Sequence, residues 1–487
     1  MTRLPMNDYL KRTLDGARDE TGAISVLNLF FTVALAIFAG LAIDMSSLIS
    51  ARTQLQVAAD VAGHAALYTR TETGDPDLAK DTAVKVAAAN MEQSRFGTIL
   101  ETSDIHFGTY DQVSKSFTVD DTKPNAVWVE TSRLGEKANP VSSFLLQFIG
   151  FWDWDVRTTS VFTREVLPCT TDGFYANGRV DMQSNNKFMN GFCVHSDTQV
   201  EMNQNNFFDY DNGVRVSMPT FSNLIIPDND YTKNTNLDAA RMERGPYNLN
   251  VEKLIDEIIA GIKSGHVDYA RSYITNLTVL DVTPGSGAGG SGGGSITGTV
   301  TDGVETVVEV AVDTTDTTNT NGSGKKELSM ADLTKGRIHQ VSCTSGNTLS
   351  VAAETFEDVV VITDCDFAFA NGVVLSNATF ITESTDMDSS IGSPQGLTIG
   401  TASGCATNGS ATLVTRGGMK SAAKISMFGG QIIAAGNVNF AAQGLGFGSA
   451  SVIAGGEIDG TSLATFAGCT VGNGHFFTVM GRPRLRG

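Results

Sequence analysis

The stretch VDMQSNNKF at Val180–Phe188 returns twenty residues later as VEMNQNNFF at Val200–Phe208, with five identities in nine positions and two conservative exchanges. Far downstream, QIIAAGNVN at Gln431–Asn439 and SVIAGGEID at Ser451–Asp459 repeat the same offset. Two regions with different wording therefore share one period. A repeat near twenty residues, made of short Val, Ile and Phe strands with Gly and Asn at the corners, matches one turn of a parallel β-helix. Gly and Asn tolerate the left-handed backbone that such corners use. Stacked Asn side chains can also hydrogen-bond along the axis. A sandwich of ordinary strands is the competing reading.

The repeats are interrupted. VEKLIDEIIAGIKS at Val251–Ser264 carries Leu254, Ile255, Ile258 and Ile262 at helical spacing, which predicts an amphipathic helix on the flank of the solenoid or capping it. PGSGAGGSGGGS at Pro284–Ser295 reads as a flexible loop or linker, and Thr314–Gly324 is a second polar stretch. Strands resume near Thr348, with Val359–Thr363 and Val373–Thr382 the clearest. One solenoid with a long insertion and two joined solenoid segments both fit this pattern.

The 487 residues include 34 Lys and Arg against 53 Asp and Glu, a formal charge of −19. A surface that acidic repels phosphate backbones, so no nucleic-acid partner is expected. Apolar residues at 41% and charged residues at 18% exclude a disordered chain. From Gly22 to Ile43 there is no charge, and only Ser25, Asn28 and Thr32 break the apolar run. As a helix these residues rise about 33 Å, close to the hydrocarbon thickness of a bilayer. Arg3, Lys11, Arg12 and Arg18 precede the span, and Arg52 is the one basic residue in the twenty that follow it. The positive-inside rule then leaves residues 1–21 in the cytoplasm and exports the rest. A leader cleaved at Ile43 is the alternative, but its apolar region would be about twice the usual length. Beyond the span, Leu48, Leu55, Ala59, Ala62 and Ala66 form an apolar stripe, which predicts one long helix continuing outward.

Asp19-Glu20-Thr21-Gly22 before the span, then Asp44, Leu48, Arg52, Leu55-Gln56, Ala58-Ala59-Asp60 and Ala62, resemble the Tad/Flp pilus-assembly proteins of the TadE/TadG type. Asn139-Pro140-Val141 and Phe144-Leu145-Leu146 resemble that family's downstream part. The resemblance implies a membrane-anchored accessory of a pilus or secretion system in a Gram-negative inner membrane. Its partners would be the lipid bilayer and pilin-like or other Tad-system proteins, docked on Asp44, Arg52, Leu55, Gln56, Ala59, Asp60 and Ala62. Two departures matter. The fifth position after Gly22 is Leu27 where the processed pseudopilins carry Glu, so no cleavage there is expected. Asp44-Met45-Ser46-Ser47-Leu48 lacks the second Ser of the von Willebrand A metal motif carried by many TadG-like proteins, so the C-terminal module must differ.

Six cysteines, Cys169, Cys193, Cys343, Cys365, Cys405 and Cys469, all follow the span. Cys169 and Cys193 are 24 apart, and Cys343 and Cys365 are 22 apart, each about one coil. Residues stacked on adjacent coils lie roughly 4.8 Å apart, within disulfide range, which predicts bridges 169–193 and 343–365, with 405–469 left by elimination. Free buried thiols are the alternative.

Little in the sequence points to chemistry. His64, His106, His195, His266, His339 and His475 have no metal-ligand spacing. Asp386-Met387-Asp388 lacks a full calcium-loop pattern. G-x-S-x-G at Gly289–Gly293 lies inside the Gly-rich run, without a strand and a helix around it. No cofactor, metal or catalytic residue is expected, and the protein is read as non-enzymatic. The other reading is a carbohydrate-binding or polysaccharide-degrading β-helix protein acting on a surface glycan, with Phe188, Phe207, Phe208 and Tyr210 as a stacking surface. The same aromatics equally suit interior stacks. The expected fold class is thus α+β and all-β multidomain: cytoplasmic residues 1–21, a transmembrane helix at 22–43, a pilin-like α+β domain at 44–165, β-helix segments at 166–283 and 326–487, and a linker or insertion at 284–325.

Overall fold

The computed structural model describes residues 21–123, 125–266, 269–282, 300–301, 304–305, 327–343, 348–401, 409–441, 446–460, 463–469, 477–481 and 483–486. The basic N-terminal residues, nearly all of the 284–325 linker and Cys405 lie outside them. The chain divides into two units, one of residues 1–165 with 482–487 and one of residues 166–481.

In the first unit a helix runs from Thr21 to Thr73, and a second from Pro76 to Asn90. Asp75 caps the second helix by accepting from the Asp77 and Leu78 amides, and Pro76 occupies its first turn. Both lie on an antiparallel sheet with strand order 116–119, 105–111, 126–133, 156–163 and 484–485. The buried residues are small on the helices and large on the sheet: Ala58, Ala62, Ala66, Ala79, Ala83 and Ala87 meet Ile105, Phe107, Val127 and Val129. Gly63 shows how close the approach is, since a Cβ there would lie 2.9 Å from the Phe162 ring. The apolar run Val141–Ile149 is not a continuous helix. Val141–Ser142 pairs with Asp153–Trp154, and only Leu146–Ile149 forms a 3-10 turn, closed by Gly150 at φ +87°. An isolated nine-residue helix is marginal in water, and here the Ser143 amide bonds the Trp152 carbonyl while the Phe144, Leu145 and Leu146 amides bond Asp44.

Among the described residues, the second unit is built mainly on parallel sheets of fifteen and ten strands. Equivalent residues of successive repeats pair in register: Val180 with Val200, Phe174 with Val194, Ile432 with Val452. The interior is an apolar column that includes Val361, Phe380, Leu413, Ile432, Val452, Phe174, Val194 and Val216. Phe188 stacks between Phe208 and Phe466, with ring centroids 4.9 and 5.1 Å away. Phe188 and Phe208 are fully buried, so these two serve the core, while Tyr210 remains 38% exposed.

The strands of 173–243 and of 327–467 belong to one continuous stack. Residues 451–454, late in the chain, pair with residues 173–176, and 458–460 pair with 180–182. The chain builds layers outward from residue 173 to residue 243. It then resumes with Val279–Val282 at the opposite end of the stack and adds layers until it reaches its own start.

Corners explain the Asn and Gly of the repeats. Asn185 and Asn205 have φ of 65° and 61°. The next residues, Asn186 and Asn206, are buried and form a ladder. Asn206 Oδ1 accepts from the Asn186 amide at 2.8 Å, Asn234 Oδ1 accepts from the Asn206 amide at 2.9 Å, and Asn186 Oδ1 accepts from the Ala464 amide at 3.0 Å. The rungs run from side chain to backbone, so each Asn supplies an acceptor to an amide that the turn leaves without one.

Candidate functional site

The outer faces of the two parallel sheets differ in composition. On the fifteen-stranded sheet one register row reads Ile362, Ile381, Val414, Ile433, Ile453, Tyr175, His195 and Ser217. The helix Val251–Ser264 covers its aliphatic part with Leu254, Ile255, Ile258 and Ile262. Strands such as VVVIT and QIIA are apolar on both faces because both are buried.

The polar end of that row assembles what the sequence did not suggest, a Ser–His–Asp chain. His195 Nδ1 lies 2.7 Å from Ser217 Oγ, and its Nε2 lies 3.1 Å from Asp197 Oδ1. The Ser–His–Asp chain is closed off from solvent. His195 is fully buried and its ring stacks on Tyr247 with centroids 4.1 Å apart. Asp197 also accepts from the Tyr247 and Asn248 amides at 2.7 and 2.8 Å and from the Tyr175 hydroxyl at 2.8 Å. The Leu249 amide donates to that hydroxyl, and Asn177 Nδ2 donates to the Leu249 carbonyl. Asn250 then caps the flank helix. The network fastens the incoming chain to the sheet. Burial opposes the charge on Asp197, yet the bonds from His195, Tyr247, Tyr175 and Asn248 hold its carboxyl below the ordinary value. Burial, with Asp197 adding to it, pushes the Tyr175 hydroxyl well up.

The ten-stranded sheet alternates inward and outward, and its outward row is polar: Lys420, Asn439, Asp459, Asp181 and Glu201 are register neighbours. Arg179 reaches Glu201 at 3.0 Å, Asp181 at 3.3 Å and Glu457 at 3.2 Å. Burial first, then the charge of Glu201 and more distantly of Asp459 and Glu457, raises Asp181 to about 6 against the pull of Arg179. A hollow of about 320 Å³ beside this row is lined by Lys420, Asn439, Asp459, Gln183 and Phe440 among others. Because the folded carboxyl binds its proton more tightly than the unfolded one, stability falls as pH rises from about 4 to about 6. Asp181→Asn should flatten that part of a melting-temperature-against-pH profile. A profile unchanged by the substitution would show that Asp181 ionises normally.

In the first unit Asp44 is 2% exposed. Its two carboxylate oxygens accept from the amides of Phe144, Leu145 and Leu146 at 2.7–3.1 Å. Asn139 donates to the Phe96 and Thr98 carbonyls and accepts from the Leu134 amide. The motif residues therefore hold their own unit together. Leu55, Ala59 and Ala62, read as docking residues, are each 0% exposed, and Leu55 and Ala62 lie in this unit's own core. Gln56 bonds to Asp60 at 2.9 Å and to the Thr159 carbonyl at 3.0 Å, and Arg52 points to solvent.

Cys169 is bonded to Cys193 and Cys343 to Cys365, with Cα atoms 4.7 and 5.6 Å apart. Cys469 is also disulfide-bonded. The helix Thr21–Thr73 is long and apolar enough at its start to cross a membrane, and its side chains from Ile24 to Ile43 are largely exposed.

Among the described residues, one candidate membrane span, a small helix-on-sheet unit and a stack of parallel strands define the class of this chain. By comparison with family models, residues 173–285 and 294–470, more than half of the chain, match a domain of unknown function, DUF7867, and the chain belongs to that family. Residues 22–89 match the TadE/G-like Flp pilus-assembly family, Tad. That match spans the first helix from its apolar start and nearly all of the second. No curated protein and no solved structure matches the chain.

Proposed function

We propose that the chain is a single-pass accessory of a Tad/Flp-type pilus-assembly or secretion system, non-enzymatic, held in the inner membrane with its bulk in the periplasm or at the cell surface. Its first unit acts as a pilin-like module. Its second is a parallel β-helix serving as a rigid exported scaffold. The observation that carries this reading is the Tad match over the segment containing the apolar helix, joined in one chain to a stack whose disulfides suit an oxidising compartment. With Leu55, Ala59 and Ala62 buried, partners must use other surfaces, and the exposed polar row of the ten-stranded sheet is the one with defined chemistry.

Affinity purification of the full chain from membranes, followed by mass spectrometry, tests the assignment. Co-recovery of pilus-system proteins supports it, and their absence under conditions that retain the bilayer overturns it. The raised Asp181 beside Asp459 favours one second reading, a glycan-binding or glycan-cleaving face. Release of reducing or unsaturated ends from an acidic polysaccharide, abolished by Asp181→Asn, would establish that alternative.

A further inference from the structure

The hairpin of Val141–Ser142 with Asp153–Trp154 carries an unusual tip. Phe144 is 73% exposed, Phe148 90%, Ile149 59% and Trp152 63%. Large apolar side chains grouped like this on a water-facing surface mark a contact site. Backbone hydrogen bonds tie the tip together: the Ser143 amide donates to the Trp152 carbonyl at 2.9 Å, and the Phe151 amide to the Leu146 carbonyl at 3.1 Å. The tip is thus built to hold these side chains outward.

Its position along the first helix says what covers it. Asp44, the first charged residue after the apolar run, binds three successive amides of the tip. Gly40 faces Leu145 so closely that a Cβ there would lie 3.1 Å from the Leu145 Cβ. Gly40 lies four residues before Asp44, roughly 6 Å along the helix axis. The tip therefore packs beside the last turn of the apolar segment, where a spanning helix leaves hydrocarbon for headgroups. Aromatic side chains concentrate at that level of a bilayer, with the apolar body in the acyl boundary and polar edges in the headgroups. The tip itself, Ser143–Trp152, contains no Lys or Arg, so its attraction to lipid would be apolar and insensitive to salt.

We infer that the 143–152 tip is a second membrane contact, inserted into the outward-facing interface of the bilayer and locked to the spanning helix by Asp44. The inference rests on the proposed membrane span. It assigns Asp44 a positioning role, fixing the rotation and tilt of the helix against the exported unit.

Nitroxide labels at Phe148→Cys, Leu35→Cys and Val113→Cys test it, each in the full disulfide-bonded chain reconstituted in phosphatidylethanolamine–phosphatidylglycerol vesicles. Val113 is 95% exposed on the far turn of another hairpin and serves as the aqueous reference. Collision with oxygen should exceed collision with a water-soluble nickel chelate at 148, as at 35, with the reverse at 113. Asp44→Ala should shift the label at 148 toward the aqueous signature while the label at 35 keeps its own. A lipid signature at 35 with an aqueous one at 148 would overturn the tip contact alone. An aqueous signature at 35 would overturn the membrane span. Shielding of 148 from both quenchers would show a protein, such as a second copy, on the tip and would also overturn the lipid assignment.

Discussion

Phe466→Ala is expected to destabilise the entire parallel stack by about 3–5 kcal/mol, the usual range for emptying a buried Phe site. Phe466 sits where the end of the chain's second run of layers meets the beginning of its first. Its strand, Thr465–Ala467, pairs with both Phe447–Gly448 and Lys187–Met189. Its ring lies 5.1 Å from Phe174, 5.1 Å from Phe188 and 4.8 Å from Phe447. Aromatic pairs at these separations add to the burial term. The cavity would open toward Phe174 and Phe447, which are far apart in sequence, and neither side can collapse alone. Hydrogen exchange on the full chain checks the result. Amides of 173–176 and of 447–454 should lose protection together. Loss confined to 447–454 would mean that the two runs are independent bodies, contrary to the register seen between them.

Asp197→Ala is expected to cost a similar amount, about 3–5 kcal/mol, because truncating a buried, fully bonded charge leaves its partners desolvated and unpaired. Four donors converge on a side chain that is 5% exposed. Their loss frees residues 247–249, and with them the cap of the flank helix, so the aliphatic row beneath that helix would be uncovered. Thermal unfolding should show a lowered midpoint, and binding of a hydrophobic dye should rise before global unfolding. Asp197→Asn keeps one acceptor and should fall between. The pH dependence has a definite sign. With the folded carboxyl held below its ordinary value, the stabilisation is fully present above the unfolded carboxylate pKa of about 4 and disappears as pH falls through the lower folded value. An Asp197→Ala protein with unchanged melting and unchanged dye binding would show that the network is incidental.

The repeat, the corners and the two one-coil disulfides were legible because each is local in the stacked frame. A period of twenty converts directly into in-register neighbours, as with Val180 and Val200. The contrast between the two parallel sheets is legible as well. VVVIT, ATLVT and QIIA are apolar without alternation, whereas VDM, VEM, VNF and IDG alternate. That contrast separates a sheet covered on both sides from one with an open face. The Ser217–His195–Asp197 chain had no such signal, since Ser217 joins His195 only through the register of strands 22 residues apart. The Ala stripe was visible, but its destination was not, because a row of small side chains fits a partner's surface and the protein's own sheet equally well.

By itself the amino-acid order determined the apolar segment, the twenty-residue layer and the amphipathic helix at Val251–Ser264, because periodicity and unbroken hydrophobicity act between neighbours in sequence. Only the tertiary structure decided that the last layer closes on the first and that Asp44 holds the 144–146 turn. Each of these joins residues about 100 or more positions apart, and such contacts form only where packing of the whole unit brings the strands and helices together.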